Sequence, residues 1–237
     1  MILGEGEAVQ PNVLFEKFLR PHLVDWADGK PPADILDFAC GKYHLLVVAR
    51  MQGELNTRVF SSGGNNNGQL GLGNGRTHHA LTEIKFLSDK HICAVAAGSY
   101  HSCFLSMSGL EVYTCGKNLD GVLGLGKAPS NTHPRTVPVP VIIAFPDTLA
   151  SDDRIVDMSC GEEHTFAITA KGSLYSWGYN VANQTGFSCR RTEAILCPRK
   201  VEPMENITIN HPEAKNCRVL RVDGGAQHTV VLLKRYQ

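Results

Sequence analysis

The sequence predicts an all-β protein built as an array of short antiparallel units, and three observations carry that prediction. The first is the stretch Cys160 to Gly178, where His164, Phe166 and Ile168 alternate with Thr165, Ala167 and Thr169. A period of two places successive side chains on opposite faces of a strand. Lys171-Gly172 supplies a tight turn and Ser173 to Trp177 runs back with Leu174, Tyr175 and Trp177, which completes a hairpin. The second observation is recurrence. The tetrad Gly-x-x-His appears as Gly41…His44, Gly98…His101, Gly161…His164 and Gly225…His228, at the near-constant spacing of roughly 60 residues that marks a repeat array. The third is a pair of echoes downstream. Val59 to Gly63, Val112 to Gly116 and Leu174 to Gly178 form one set; Asn67 to Gly73, Asp120 to Gly126 and the worn Ala182 to Gly186 form the other.

Taken in order, Leu3-Gly4-Glu5-Gly6 matches Leu70 to Gly73, and Pro11 to Leu14 matches the Pro-led strands near Val137 and Val201. Residues 1–34 therefore read as the tail of a preceding repeat followed by an insertion. Within it, Phe15 to Trp26 has the apolar spacing of a short helix, interrupted at Pro21. Residues 35–88, 92–146 and 154–203 read as three full repeats, and 218–234 as the first two strands of another. Asn206 to Asn216 is polar and loop-like. Met1 falls inside a repeat, so the expectation is a shortened form.

The stretches CGEEHTFAITAKGSLYSWGYN (160–180) and GGNNNGQLGLGN (63–74) resemble the repeat of the regulator of chromosome condensation family. The resemblance runs from about Leu3 to Lys234. It implies a β-propeller, seven-bladed in that family and here partial, with about three full blades plus two partial ones. A propeller closes when both termini share a blade and leave no free sheet edge. An open array would instead expose two apolar blade faces. At roughly 500 Å² each, exposure forfeits ~12 kcal/mol per face, so closure, self-association or a partner is expected.

The resemblance also implies function. One implied role is a protein-interaction scaffold whose loop face binds a protein partner. The other is a guanine nucleotide exchange factor for a Ran-like small GTPase, the activity of the family's founding member, to whose closing strand Gly224 to Lys234 is similar. In that role, loop groups would enter beside the GTPase phosphate site and Mg²⁺ and weaken nucleotide binding without chemistry on the nucleotide. The candidate contact residues are His228, Gln227, Glu163, Asp120 and Tyr100, the last standing where the family's exchange factor carries a functional histidine. The tetrad histidines as a set read as structural, their ring nitrogens bonding loop backbone.

Other classes find little support. Lys plus Arg (23) equal Asp plus Glu (23), so no net field steers the chain to nucleic acid or an anionic membrane. The eight Cys lack Cys-x-x-Cys or zinc-finger spacing and read as reduced, mostly buried thiols. No metal or cofactor is expected. The glycine-rich run Gly63 to Gly75 lacks a Gly-Lys-Ser/Thr ending, so its glycines read as turns and not as a phosphate cradle. No Gly-x-Ser-x-Gly elbow is present. The apolar run Val137 to Phe145 is short and broken by Pro138 and Pro140, and the first residues are acidic without a long apolar core. The expected location is the nucleus and/or the cytoplasm.

Overall fold

The structure is a computed structural model that describes residues 24–126, 134–146, 152–188, 194–201 and 217–235. The expected strands near Leu3 and Pro11, the loop Asn206 to Asn216, and all but the end of the expected helix lie outside these residues. Trp26, at that end, is not helical. It bridges Leu81 in parallel and sets its ring edge-on against Phe60 at 4.9 Å.

Three four-stranded antiparallel sheets follow one another along the chain. The first holds β1 (Asp34–Cys40), β2 (His44–Arg50), β3 (Thr57–Gly63) and β4 (His78–Glu83). The second holds β5 (Ile92–Ala97), β6 (His101–Ser106), β7 (Val112–Lys117) and β8 (Thr136–Ile142). The third holds β9 (Ile155–Cys160), β10 (His164–Thr169), β11 (Leu174–Gly178) and β12 (Ile195–Val201). A two-stranded sheet of β13 (Cys217–Gly224) and β14 (Thr229–Arg235) completes the described residues. Each sheet is an up-and-down meander, the blade unit of a propeller.

The repeat reaches below the level of strands. In all four sheets the first strand carries a bulge against the second, skipping Leu36, Cys93, Val156 and Leu220. A bulge at a fixed position adds the same local twist to each sheet. The sheets then stack face to face on apolar side chains. Leu46, Val48 and Val59 of the first meet Val95, Phe104 and Tyr113 of the second. Cys103, Leu105 and Val112 of the second meet Met158, Ala167, Tyr175 and Trp177 of the third. Phe166 and Ile168 of the third meet Val222 and Val231 of the last.

Two glycines show why the long β3–β4 and β7–β8 loops keep their form. Gly68 and Gly121 have φ of +79° and +72°, and a Cβ on either would meet backbone of the following sheet at Pro138 or at Ile195–Leu196. Both the left-handed backbone and the close approach call for glycine. The expectation of mostly buried cysteines needs correcting. Cys103 and Cys115 are buried, but Cys93, Cys160 and Cys217 are half-buried and Cys40 and Cys197 exposed. Cys40 and Cys160 end first strands, which lie side by side along the array, so a thiol at that position is only partly covered.

Candidate interaction face

Every Gly-x-x-His tetrad spans the turn between the first and second strands of its sheet. Because the strands meander, the loops after the third strands emerge at the same end. That end of the array is one continuous loop face, and beneath it lies a row of histidines.

The tetrad has a physical reason. A Cβ on Gly41, Gly98, Gly161 or Gly225 would collide with the imidazole of the histidine three residues on, so each ring folds back over its own glycine. The ring then reaches the next sheet. His44 Nε2 lies 2.8 Å from Ser102 Oγ, and His101 Nε2 lies 2.9 Å from Thr165 Oγ1. The hydroxyl proton is already committed: Ser102 donates to Gln69 O at 2.7 Å and Thr165 to Val122 O at 3.3 Å. The imidazole must therefore donate from Nε2, and burial keeps it in its neutral form. Burial pushes His44 down to about 4 and His101 to about 3. The expected backbone partner is thus replaced by a side-chain hydroxyl of the neighbouring sheet, in a latch of histidine, hydroxyl and loop carbonyl. At the last interface Thr229 donates to Gln184 O at 2.6 Å, while His164 stands edge-on to Phe166 at 5.2 Å with both ring nitrogens unpartnered. Burial lowers it to about 4.

Above this row lie the central tetrad residues, of which Ser99 is buried and the others are partly or fully exposed. Tyr43 and Tyr100 stack with ring centroids 5.2 Å apart and planes 30° from parallel. Lys42 Nζ stands 5.6 Å from the Tyr43 centroid and Lys117 Nζ 5.5 Å from that of Tyr100. Each lysine then pairs across to the third sheet, Lys42 with Glu162 at 3.4 Å and Lys117 with Glu163 at 2.5 Å. Hydrogen bonding to Tyr43 raises the Tyr100 phenol. Backbone bonds fix the turns beneath: Lys42 N–H donates to Gly98 O, Ser99 N–H to Glu162 O, and Glu162 N–H to Gly225 O.

The five candidate residues lie on this face in different settings. Tyr100 and Glu163 come together through Lys117. Gln227 and His228 are exposed in and beside the β13–β14 turn, and Asp120, also exposed, takes φ +52° in the β7–β8 loop. His228 is the fourth tetrad histidine. Among the described residues no later sheet covers it, and that accounts for its exposure where His44, His101 and His164 are buried. Sequence reasoning passed over Lys42, Tyr43, Lys117 and Glu162. Their signal was available: three of the four occupy the central positions of the same tetrads.

An array of paired charges around one exposed and one half-buried phenol ring contains no nucleophile–base pair. It can make cation–π, stacking and ionic contacts with a macromolecular surface. One group of potential metal ligands lies below it among the described residues: ligand atoms of His101, Cys103 and Cys160 fall within 4.8 Å of one another.

Comparison with known proteins agrees with this architecture. The family model described as the regulator of chromosome condensation (RCC1) repeat matches residues 56–105, 111–168 and 171–232. The chain is 31% identical to the ultraviolet-B receptor UVR8 of Arabidopsis thaliana over 202 residues, 85% of this chain and 40% of that protein. It is 32% identical to the human probable E3 ubiquitin-protein ligase HERC6 over 196 residues, 82% of this chain and 17% of that one. It thus spans less than half the length of these relatives. Among solved structures, Prp20p of Saccharomyces cerevisiae superposes with a TM-score of 0.67 at 20% identity, over 84% of this chain and 44% of that one. With three matches to the repeat model along its length, this chain belongs to the regulator of chromosome condensation (RCC1) repeat family.

Proposed function

We propose that the chain is a protein-interaction propeller that binds a protein partner through the tetrad-turn face. The observation that carries this reading is the cluster of Lys42, Tyr43, Tyr100, Lys117, Glu162 and Glu163, assembled from three sheets. Tyrosine supplies contact area at low entropic cost and is enriched at interface hot spots. Its rings are held here by inter-sheet ion pairs, which lowers the ordering cost on binding. Two lysines against two glutamates leave the cluster without net charge, which suits a mixed protein surface better than a phosphate backbone. The test is retention of a captured protein partner. Tyr43→Ala with Tyr100→Ala abolishes it under this reading, and unchanged retention by the double variant refutes the assignment of the face.

A narrower reading makes the partner a Ran-like small GTPase, on which the chain acts as a guanine nucleotide exchange factor. Its support is the fold likeness to Prp20p, whose structural report covers binding to Gsp1p and histones, and the placement of Glu163, Gln227 and His228 on one face. Release of a fluorescent guanine nucleotide from Ran measures it. Acceleration that His228→Ala abolishes supports exchange. No acceleration by the folded chain removes that reading and leaves the interaction face. The location in nucleus and/or cytoplasm that the sequence suggested stays a part of this proposal, tested by imaging a tagged chain.

A further inference from the structure

We propose that His101, Cys103 and Cys160 form a binding site for a thiophilic d¹⁰ cation, Zn²⁺ in particular, that ties the second sheet to the third. His101 and Cys103 sit on β6 and Cys160 ends β9, so the set crosses a sheet interface. Their ligand atoms lie within 4.8 Å of one another. Ligands on a tetrahedral zinc with bonds of about 2.3 Å to sulfur are about 3.8 Å apart, so shifts well under the length of one bond bring the three together. The donor chemistry fits: two thiolates and an imidazole select zinc or Cu(I) over hard cations such as Mg²⁺ or Ca²⁺. Charge fits too. Zn²⁺ with two thiolates and a neutral imidazole carries no net charge, and a buried site tolerates only such a set.

The repeats themselves supply the control. At the preceding interface the tetrad histidine is His44, and the positions of Cys103 and Cys160 are taken by Leu46 and Ala97. At the following one they are taken by Phe166 and Gly224. Packing at this place in the fold therefore needs no sulfur, and both thiols occur together at one interface. Cys103 is fully buried and Cys160 half-buried, so the partly open Cys160 side gives a cation its way in. Binding forms two metal–sulfur bonds and one metal–nitrogen bond at His101 Nε2, whose proton moves to the unpartnered Nδ1, and releases the two thiol protons to solvent. Thr165 Oγ1, 2.9 Å from His101 Nε2, is an oxygen at hand for the fourth position.

The experiment is a Co²⁺ titration of the reduced, metal-free full chain, read by absorption, followed by displacement with Zn²⁺. Thiolate-to-cobalt charge transfer with the intense visible bands of tetrahedral cobalt, saturating at one equivalent, is expected. Cys160→Ala puts at this interface the residue that Ala97 already provides at the previous one, so it folds, as far-UV circular dichroism checks. It loses the charge-transfer band and weakens binding by at least about 100-fold, beyond the 10–100-fold typical of second-shell changes. Cys103→Ala does the same. Cys40→Ala, at the matching repeat position in the first sheet, leaves the spectrum unchanged. A titration without thiolate charge transfer, a spectrum that survives Cys160→Ala, or one lost in Cys40→Ala overturns the proposal.

Discussion

The row of tetrad histidines makes the protein acid-labile in a definite window. His44 and His164 are buried, and burial holds each at about 4, against about 6.5 in an unfolded chain. Above pH 6.5 both states carry neutral imidazole and pH has no leverage. Below it the unfolded chain takes up protons first while the folded chain still excludes them, so stability falls with pH down to the folded value. A pKa unit corresponds to about 1.4 kcal/mol, so by pH 5 each histidine removes about 2 kcal/mol. His101, held at about 3, adds the same amount, so the three together remove about 6 kcal/mol, a large share of a typical domain's 5–15 kcal/mol. Urea unfolding at pH 7.5 and pH 5, followed through the fully buried Trp177 in the presence of a chelator, measures the difference. The window stays above the range where most carboxylates titrate. His44→Gln, which keeps a side-chain donor near Ser102, removes about a third of the pH effect and leaves the His101 and His164 shares. A midpoint that moves by less than about 1 kcal/mol equivalent, or a His44→Gln variant as acid-sensitive as the parent, refutes the reasoning.

Further outcomes follow from the same geometry. Ser102→Ala leaves His44 Nε2 without its acceptor and Gln69 O with only the weak Cys115 thiol donor, and urea unfolding shows a loss of about 1–3 kcal/mol. Gly98→Ala drives a methyl group into the His101 ring and Gly161 carbonyl; it costs about 1–3 kcal/mol, while Gly53→Ala, where a Cβ meets nothing, costs less despite its φ of +80°. Glu163→Ala breaks the pair with Lys117, both partly exposed, and lowers thermal stability by no more than about 1 kcal/mol, yet it weakens partner binding in the retention assay.

How much of this was legible in the sequence depends on the range of the interactions involved. The hairpin Cys160 to Gly178 and its echoes could be read because strand alternation and turn glycines are local. Repetition then fixed the class of the whole array. The reason for Gly-x-x-His was not legible, since it rests on a ring folding onto a glycine and then reaching a hydroxyl one sheet away. His44 and Ser102 are 58 residues apart and His101 and Thr165 are 64 apart, distances that only the stacking of sheets collapses. The face was half-legible for the same reason. Tyr100 and Glu163 could be picked from their tetrads, but Lys117 comes from the end of β7 and Lys42 meets Glu162 across 120 residues. The proposed ligands at 101, 103 and 160 match no linear zinc motif, because the third comes from the next sheet. His228 shows the converse. Its repeat position was plain, and only the absence of a covering sheet among the described residues explains why it alone of the four is exposed.

The most direct test of the interaction face places a photo-cross-linking amino acid at position 43, or at position 55, in the full chain inside cells. Leu55 lies in the β2–β3 turn at the opposite end of the first sheet and is 94% exposed, so it reports general accessibility. The account predicts a discrete protein adduct from position 43 that disappears when Tyr100→Ala is added, and none from position 55. Adducts from position 55 alone, or an adduct from position 43 that is indifferent to Tyr100→Ala, would contradict it.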